Sequence, residues 1–205
     1  MEVVRTMTKV ILLKRLKEFT EAATRELLLP VRPTEENPAP PARPPEVHLM
    51  RLPQLRDADR KAPYILHQAV TGKDIQTAGT RLPESSAVVR TVFCVYHEDE
   101  EEGALSLLNL MEQLRIALLQ RPVLGKQFLL DLKAGLEALA YPDGENPRMA
   151  PYYMGEMVSV WKLPPVTRLD VLPYTGGLSA QDPWGNRQNE TILLKGEERD
   201  AKEEF

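Results

Sequence analysis

The chain has 205 residues, 42% apolar and 27% charged, with 18 prolines, 11 glycines and a single cysteine. Its 26 lysines and arginines against 30 acids give a formal net charge of -4, so no excess positive field exists to hold phosphates by counterion release, and general nucleic-acid binding is not expected. One cysteine excludes an intrachain disulfide framework and fits a reducing cytoplasm, while no apolar run approaches the ~20 residues of a membrane-spanning helix.

In chain order, Val10, Leu13, Leu16, Phe19, Ala23 and Leu27, with Ile11 and Leu12 as alternates, recur three or four apart between charged residues. This spacing predicts an amphipathic helix from about Thr8 to Leu28. The Val10–Leu13 run is broken at once by Lys14, Arg15 and Lys17 and is too short for a signal-peptide core, so a soluble chain without an export signal is expected. Pro30 closes the helix, and eight of the 18 prolines fall between Pro30 and Pro53. Pro30–Pro45 therefore builds neither helix nor interior strand and reads as an extended, semi-rigid linker.

Three strand-like segments follow, Val47–Leu52, Pro63–Val70 and Ala87–Tyr96, the first two separated by the polar stretch Gln54–Lys61. Thr71–Asp74 carries a turn signal. Val88, Val89, Val92, Phe93 and Val95 point to both faces of a sheet, which predicts a central strand. After the acidic run Glu98–Glu102, the segment Ala104–Gln120 reads as a long, strongly apolar helix, ended by Arg121-Pro122 and Gly125. Phe128–Leu132 and Leu136–Ala140 read as two short strands or one bent one, Tyr141–Arg148 as a turn, and Tyr152–Leu163 as a last alternating strand stopped by Pro164-Pro165. Beyond Arg168 the pattern fades into a charged end whose one short apolar run is Thr191–Leu194.

The expected architecture is α+β: a mostly antiparallel sheet with one long helix packed on a face, plus an N-terminal amphipathic helix and an extended C-terminal tail. In residues, the divisions are 1–29 for the N-terminal helix, 30–45 for the linker, 46–168 for the core and 169–205 for the tail.

The residues that carry chemistry give little purchase. His48, His67 and His97 stand at no metal-ligand spacing; His48 and His67 fall on neighbouring strands and read as histidines at the sheet surface. Cys94, between Phe93 and Val95, reads as a small core hydrophobe rather than a nucleophile. No nucleophile elbow surrounds Ser85, Ser86 or Ser106, and Gly72-Lys73 and Gly125-Lys126 lack the rest of a phosphate loop. The run Glu98, Asp99, Glu100, Glu101 and Glu102 reads first as the start of a helix, favoured by its exposed amides and dipole, then as a docking or pore-lining surface, and last as a cation site, for which consecutive acids are poorly spaced. The aromatics Tyr152 and Tyr153 with Trp161 lack the interleaved basic residues of a single-strand-binding sheet and read as strand packing. No enzyme activity and no cofactor are expected.

The order of these motifs carries a resemblance. A proline-rich lead into Pro45-Glu46-Val47-His48, then Pro63-Tyr64-Ile65-Leu66, Thr71-Gly72-Lys73-Asp74, the strand closing in Val95-Tyr96-His97-Glu98-Asp99, Gly103 with the helix Leu107–Arg115, and Pro151–Met157 before Trp161 and Pro164-Pro165 resembles the small structural proteins of long-tailed phages and prophages. Within these it is most similar to the tail terminator, or tail completion, group. The resemblance covers about Pro45 to Val166 and is one of order and texture rather than of an invariant signature.

What it implies is a self-associating ring, typically a hexamer, that caps the tail tube, stops its polymerisation and meets head–tail connector or neck proteins. DNA is then only passing cargo, no membrane is involved, and no catalytic residue is carried over. The implied location is the virion tail or neck, after assembly in the host bacterial cytoplasm. The candidate interaction surface is the apolar stripe Leu13, Leu16 and Phe19, free to fold back on its own sheet or to clasp the next subunit, together with Glu98–Glu102. A head–tail connector of similar fold is the nearest alternative, and a cellular protein-interaction module a more distant one.

Overall fold

The computed structural model describes residues 8–53, 62–75, 84–140 and 150–165. The predicted polar stretch after Pro53, the turn after Tyr141 and the C-terminal tail with Thr191–Leu194 lie outside the described residues. The elements are α1 (Lys9–Thr24), β1 (Glu46–Leu49), β2 (Tyr64–Ile75), β3 (Glu84–Tyr96), α2 (Glu100–Gln120), β4 (Val123–Leu124), β5 (Phe128–Leu130), β6 (Leu136–Ala140) and β7 (Tyr152–Leu163). The strands form one sheet in the order β1-β2-β3-β7-β5-β4, with β6 beside β5 on the same edge of β7. Only the β1–β2 pair is parallel. This is the α+β architecture expected, with the β-branched strand β3 at its centre, paired along its length to β2 and β7.

Alternation on the three long strands sorts the side chains between two faces. One face carries Ile65, Val89, Phe93, Met157 and Trp161, and both helices pack on it: residues from α1, α2 and the sheet form a single buried apolar cluster. The opposite face carries a smaller cluster of Ala62, Tyr64, Leu66, Cys94 and Tyr96.

Strand β2 does not turn at Thr71–Asp74. It continues to Ile75, paired from Thr71↔Val88 to Ile75↔Glu84, after a register shift between Ala69 and Thr71. The continuous partner strand outweighs the local preference of these residues. Gly72 lies under the end of the Lys9 side chain, which reaches across it.

Helix α2 begins four residues before the predicted start, because Asp99 supplies the cap. Its side chain accepts from the Glu102 amide at 2.9 Å, and Glu100, Glu101 and Glu102 occupy the first turn. Two glycines let α2 seat on β7. A Cβ at Gly103 would lie 2.2 Å from the Tyr153 ring, and one at Gly155 would lie 2.6 Å from Met111 Sδ.

The proline stretch makes no helix, and it does not carry the chain away. Leu29 and Arg43 exchange two backbone hydrogen bonds, of 2.9 and 3.0 Å. The chain thus returns to the point where it left, and α1 folds back on its own sheet.

Candidate functional site

The stripe that seats α1 is rotated from the predicted one. Leu12, Leu13, Leu16, Thr20 and Thr24 are buried, Phe19 is half-buried and Val10 is exposed. Leu13 and Leu16 therefore serve this chain's own core and present no free surface. Two threonines enter the stripe because their hydroxyls are satisfied: Thr24 Oγ1 donates to the Thr20 carbonyl at 2.9 Å, and Thr20 Oγ1 lies 3.0 Å from His67 Nε2.

His67 is the polar centre of this contact. Its Nδ1 lies 2.9 Å from Thr91 Oγ1 on β3, so the ring is held between a helix hydroxyl and a strand hydroxyl. The expectation of a histidine at the sheet surface fails here, for the side chain is wholly buried. A neutral imidazole has one N–H donor and one acceptor nitrogen, and the two hydroxyls meet both. Burial pushes its pKa down to about 3, which keeps the ring neutral. His48 points away from it: its register partner is Leu66, and its ring stands edge-on to Tyr64 on the other face. No pair of histidines forms.

The acidic run folds as a helix start. Asp99 caps α2, its amide donates to His97 Nδ1 at 3.1 Å, and Tyr96 Oη donates to Glu98 at 3.3 Å. Burial, and then the Glu98 carboxylate, push the Tyr96 phenol up. Glu98 to Glu102 are all exposed. Among the described residues no group of His, Cys, Asp and Glu is arranged to hold a metal ion, and no helix is long and apolar enough to cross a membrane.

Cys94 is buried beside Tyr64, whose phenol is pushed up by burial and by the thiol. Tyr152 packs on Tyr96 with ring centroids 5.6 Å apart and accepts from Arg32 Nη1 at 2.9 Å, which ties the proline stretch to β7.

No family model and no curated protein matches the chain. What the fold presents for recognition is therefore read from its surfaces. The predicted candidates divide: the stripe on α1 lies inside, the acids at the start of α2 lie outside, and the structure does not bring the two together. Sequence reading missed the Thr20–His67–Thr91 contact, whose one signal was the placement of His67 in phase with Ile65 on β2. Of the apolar residues of α2, Leu108, Ile116 and Leu119 are exposed.

Proposed function

We propose that this chain is a non-enzymatic cap of the tail-terminator type: a self-assembling ring that ends a phage tail tube and presents a surface to the head connector. The observation that carries the reading is the motif order from Pro45 to Val166, and the α+β core with a long helix across one sheet face is compatible with it. A further support lies at the sheet edge. Residues Thr71–Ile75 of β2 extend beyond β1, are exposed, and have no strand partner on their outer side among the described residues. Such an edge favours association, and a closed ring protects it without open-ended growth. In this reading the exposed acids Glu98–Glu102 face a rim or pore, where like charge keeps passing DNA from sticking.

Light scattering of the purified chain over a concentration series, followed by electron microscopy, tests the proposal. The expected result is a ring of about six subunits, as the resemblance implies, that halts polymerisation when mixed with tail tube protein. Binding to the portal side alone would make it a head–tail connector. A monomer that leaves tube growth untouched would overturn the reading, and a ring with Glu98–Glu102 on its outer wall would remove the role given to the acids.

A further inference from the structure

Helix α2 is apolar on two sides. Leu107, Leu110, Met111, Leu114 and Leu118 are buried against the sheet. On the other side Leu105, Leu108, Ile116 and Leu119 are 52%, 50%, 45% and 41% exposed. A helix with one face in water is polar on that face, and a helix apolar on opposite sides is one packed between two layers. With Glu112 among them, the outer residues stand at 105, 108, 112, 116 and 119. Steps of three and four keep them on one line along the helix, and the series of steps reads the same in both directions from Glu112.

We infer that this face docks a second copy of the chain, α2 against α2, in an antiparallel two-fold pair centred on Glu112. A two-fold contact uses the same patch on both partners, so the patch must be complementary to itself. Reversing one helix about Glu112 sets Leu105 against the second copy's Leu119, and Leu108 against its Ile116. Every apolar group in the line then meets another.

The charges fit the same arrangement. Glu112 receives Nε and Nη2 of Arg115 at 2.7 to 3.0 Å within the chain. The two-fold sets Glu112 opposite Glu112 on the axis, each carboxylate already held by the Arg115 of its own chain, and sets Arg115 opposite Asn109 of the other copy. A polar position within an apolar seam fixes register. Antiparallel packing also brings the acidic first turn of one copy beside Arg121 at the far end of the other and opposes the two helix dipoles. Parallel packing would stack the two acidic turns.

This contact does not rest on the tail-terminator reading. Alone it gives a dimer, and it joins two rings back to back only where a different contact closes each ring.

Cysteine scanning on the full chain tests it, with buried Cys94 left in place. Only a residue on the two-fold axis meets its own copy, so Glu112→Cys should form a covalent dimer on mild oxidation, while wild type and Leu105→Cys should not. Leu105→Cys mixed with Leu119→Cys should cross-link. Leu108→Ser combined with Ile116→Ser changes only exposed positions and should weaken association by about tenfold or more. A monomer at every concentration, or self-linking of Leu105→Cys as readily as of Glu112→Cys, would overturn the inference. A ring in which Glu112→Cys stays unlinked would overturn it and leave the tail-terminator reading standing. A dimer linked at Glu112→Cys that grows no further and does not act on the tube would support it and remove that reading.

Discussion

A neutral imidazole sealed between two hydroxyls makes stability depend on pH in a definite direction. The folded pKa of His67 is about 3, against an ordinary value near 6.5, so the unfolded chain binds a proton that the folded chain refuses. The contribution of His67 is complete above about pH 6.5 and is lost as pH falls toward 3, with a slope of up to ~1.4 kcal/mol per pH unit. Urea denaturation of wild type and His67→Gln at pH 7 and pH 4 checks this. The variant should be less stable at pH 7, because the two threonine hydroxyls lose their geometry, yet should lose less on acidification. Equal losses would mean that His67 reaches solvent. At Gly103 the constraint is one of volume. Gly103→Ala puts a methyl carbon into the Tyr153 ring, and the expected cost is ~1–3 kcal/mol by thermal denaturation, although alanine is the better helix former.

Elements differ in how far their sequence revealed them, and the difference is physical. Strand β3 was legible because β-branched and aromatic residues stand on both of its faces, β7 because its apolar residues alternate, and α2 because its apolar repeat is long. The stripe on α1 was legible only in part. Thr20 and Thr24 are core residues solely because His67 and a carbonyl of the preceding turn satisfy them, and that is a fact of packing rather than of pattern. Turn preference at Thr71–Asp74 misled for the same reason, since the partner strand β3 was decisive. Of the candidate site, the helix-start role of the run Glu98–Glu102 could be read from its acids, but not that Asp99 is the cap. Where Leu13 and Leu16 go could not, because the composition of Pro30–Pro45 says that it is not helical and nothing about the direction in which it leads. Their burial has a measurable price: Leu16→Ala should lower stability by ~2–5 kcal/mol in denaturant titration, and a cost below ~0.5 kcal/mol, the range of surface changes, would show that α1 is not seated.

On the scale of the whole molecule, the sheet carries both described helices on a single face, and the surfaces proposed for association lie at the rim of β2 and on the outer side of α2. Association through either leaves the core unchanged, so variants of Leu108 and Ile116 should alter solution mass without altering the pH dependence set by His67. A shared loss of both would mean that these positions belong to the core. The pairing of Leu29 with Arg43 has a separate consequence. Pinned at its neck, the segment between them is a closed excursion rather than a spacer that measures out the distance from α1 to the sheet. Lengthening a loop whose ends are already held together costs only about 0.6 kcal/mol per doubling. A Gly-Ser insertion after Ala39, outside the Thr34–Asn37 turn, that doubles the segment should therefore shift thermal stability by no more than that, with α1 still in place. The length of this segment is free to vary, and the register of α1 on the sheet stays as it is.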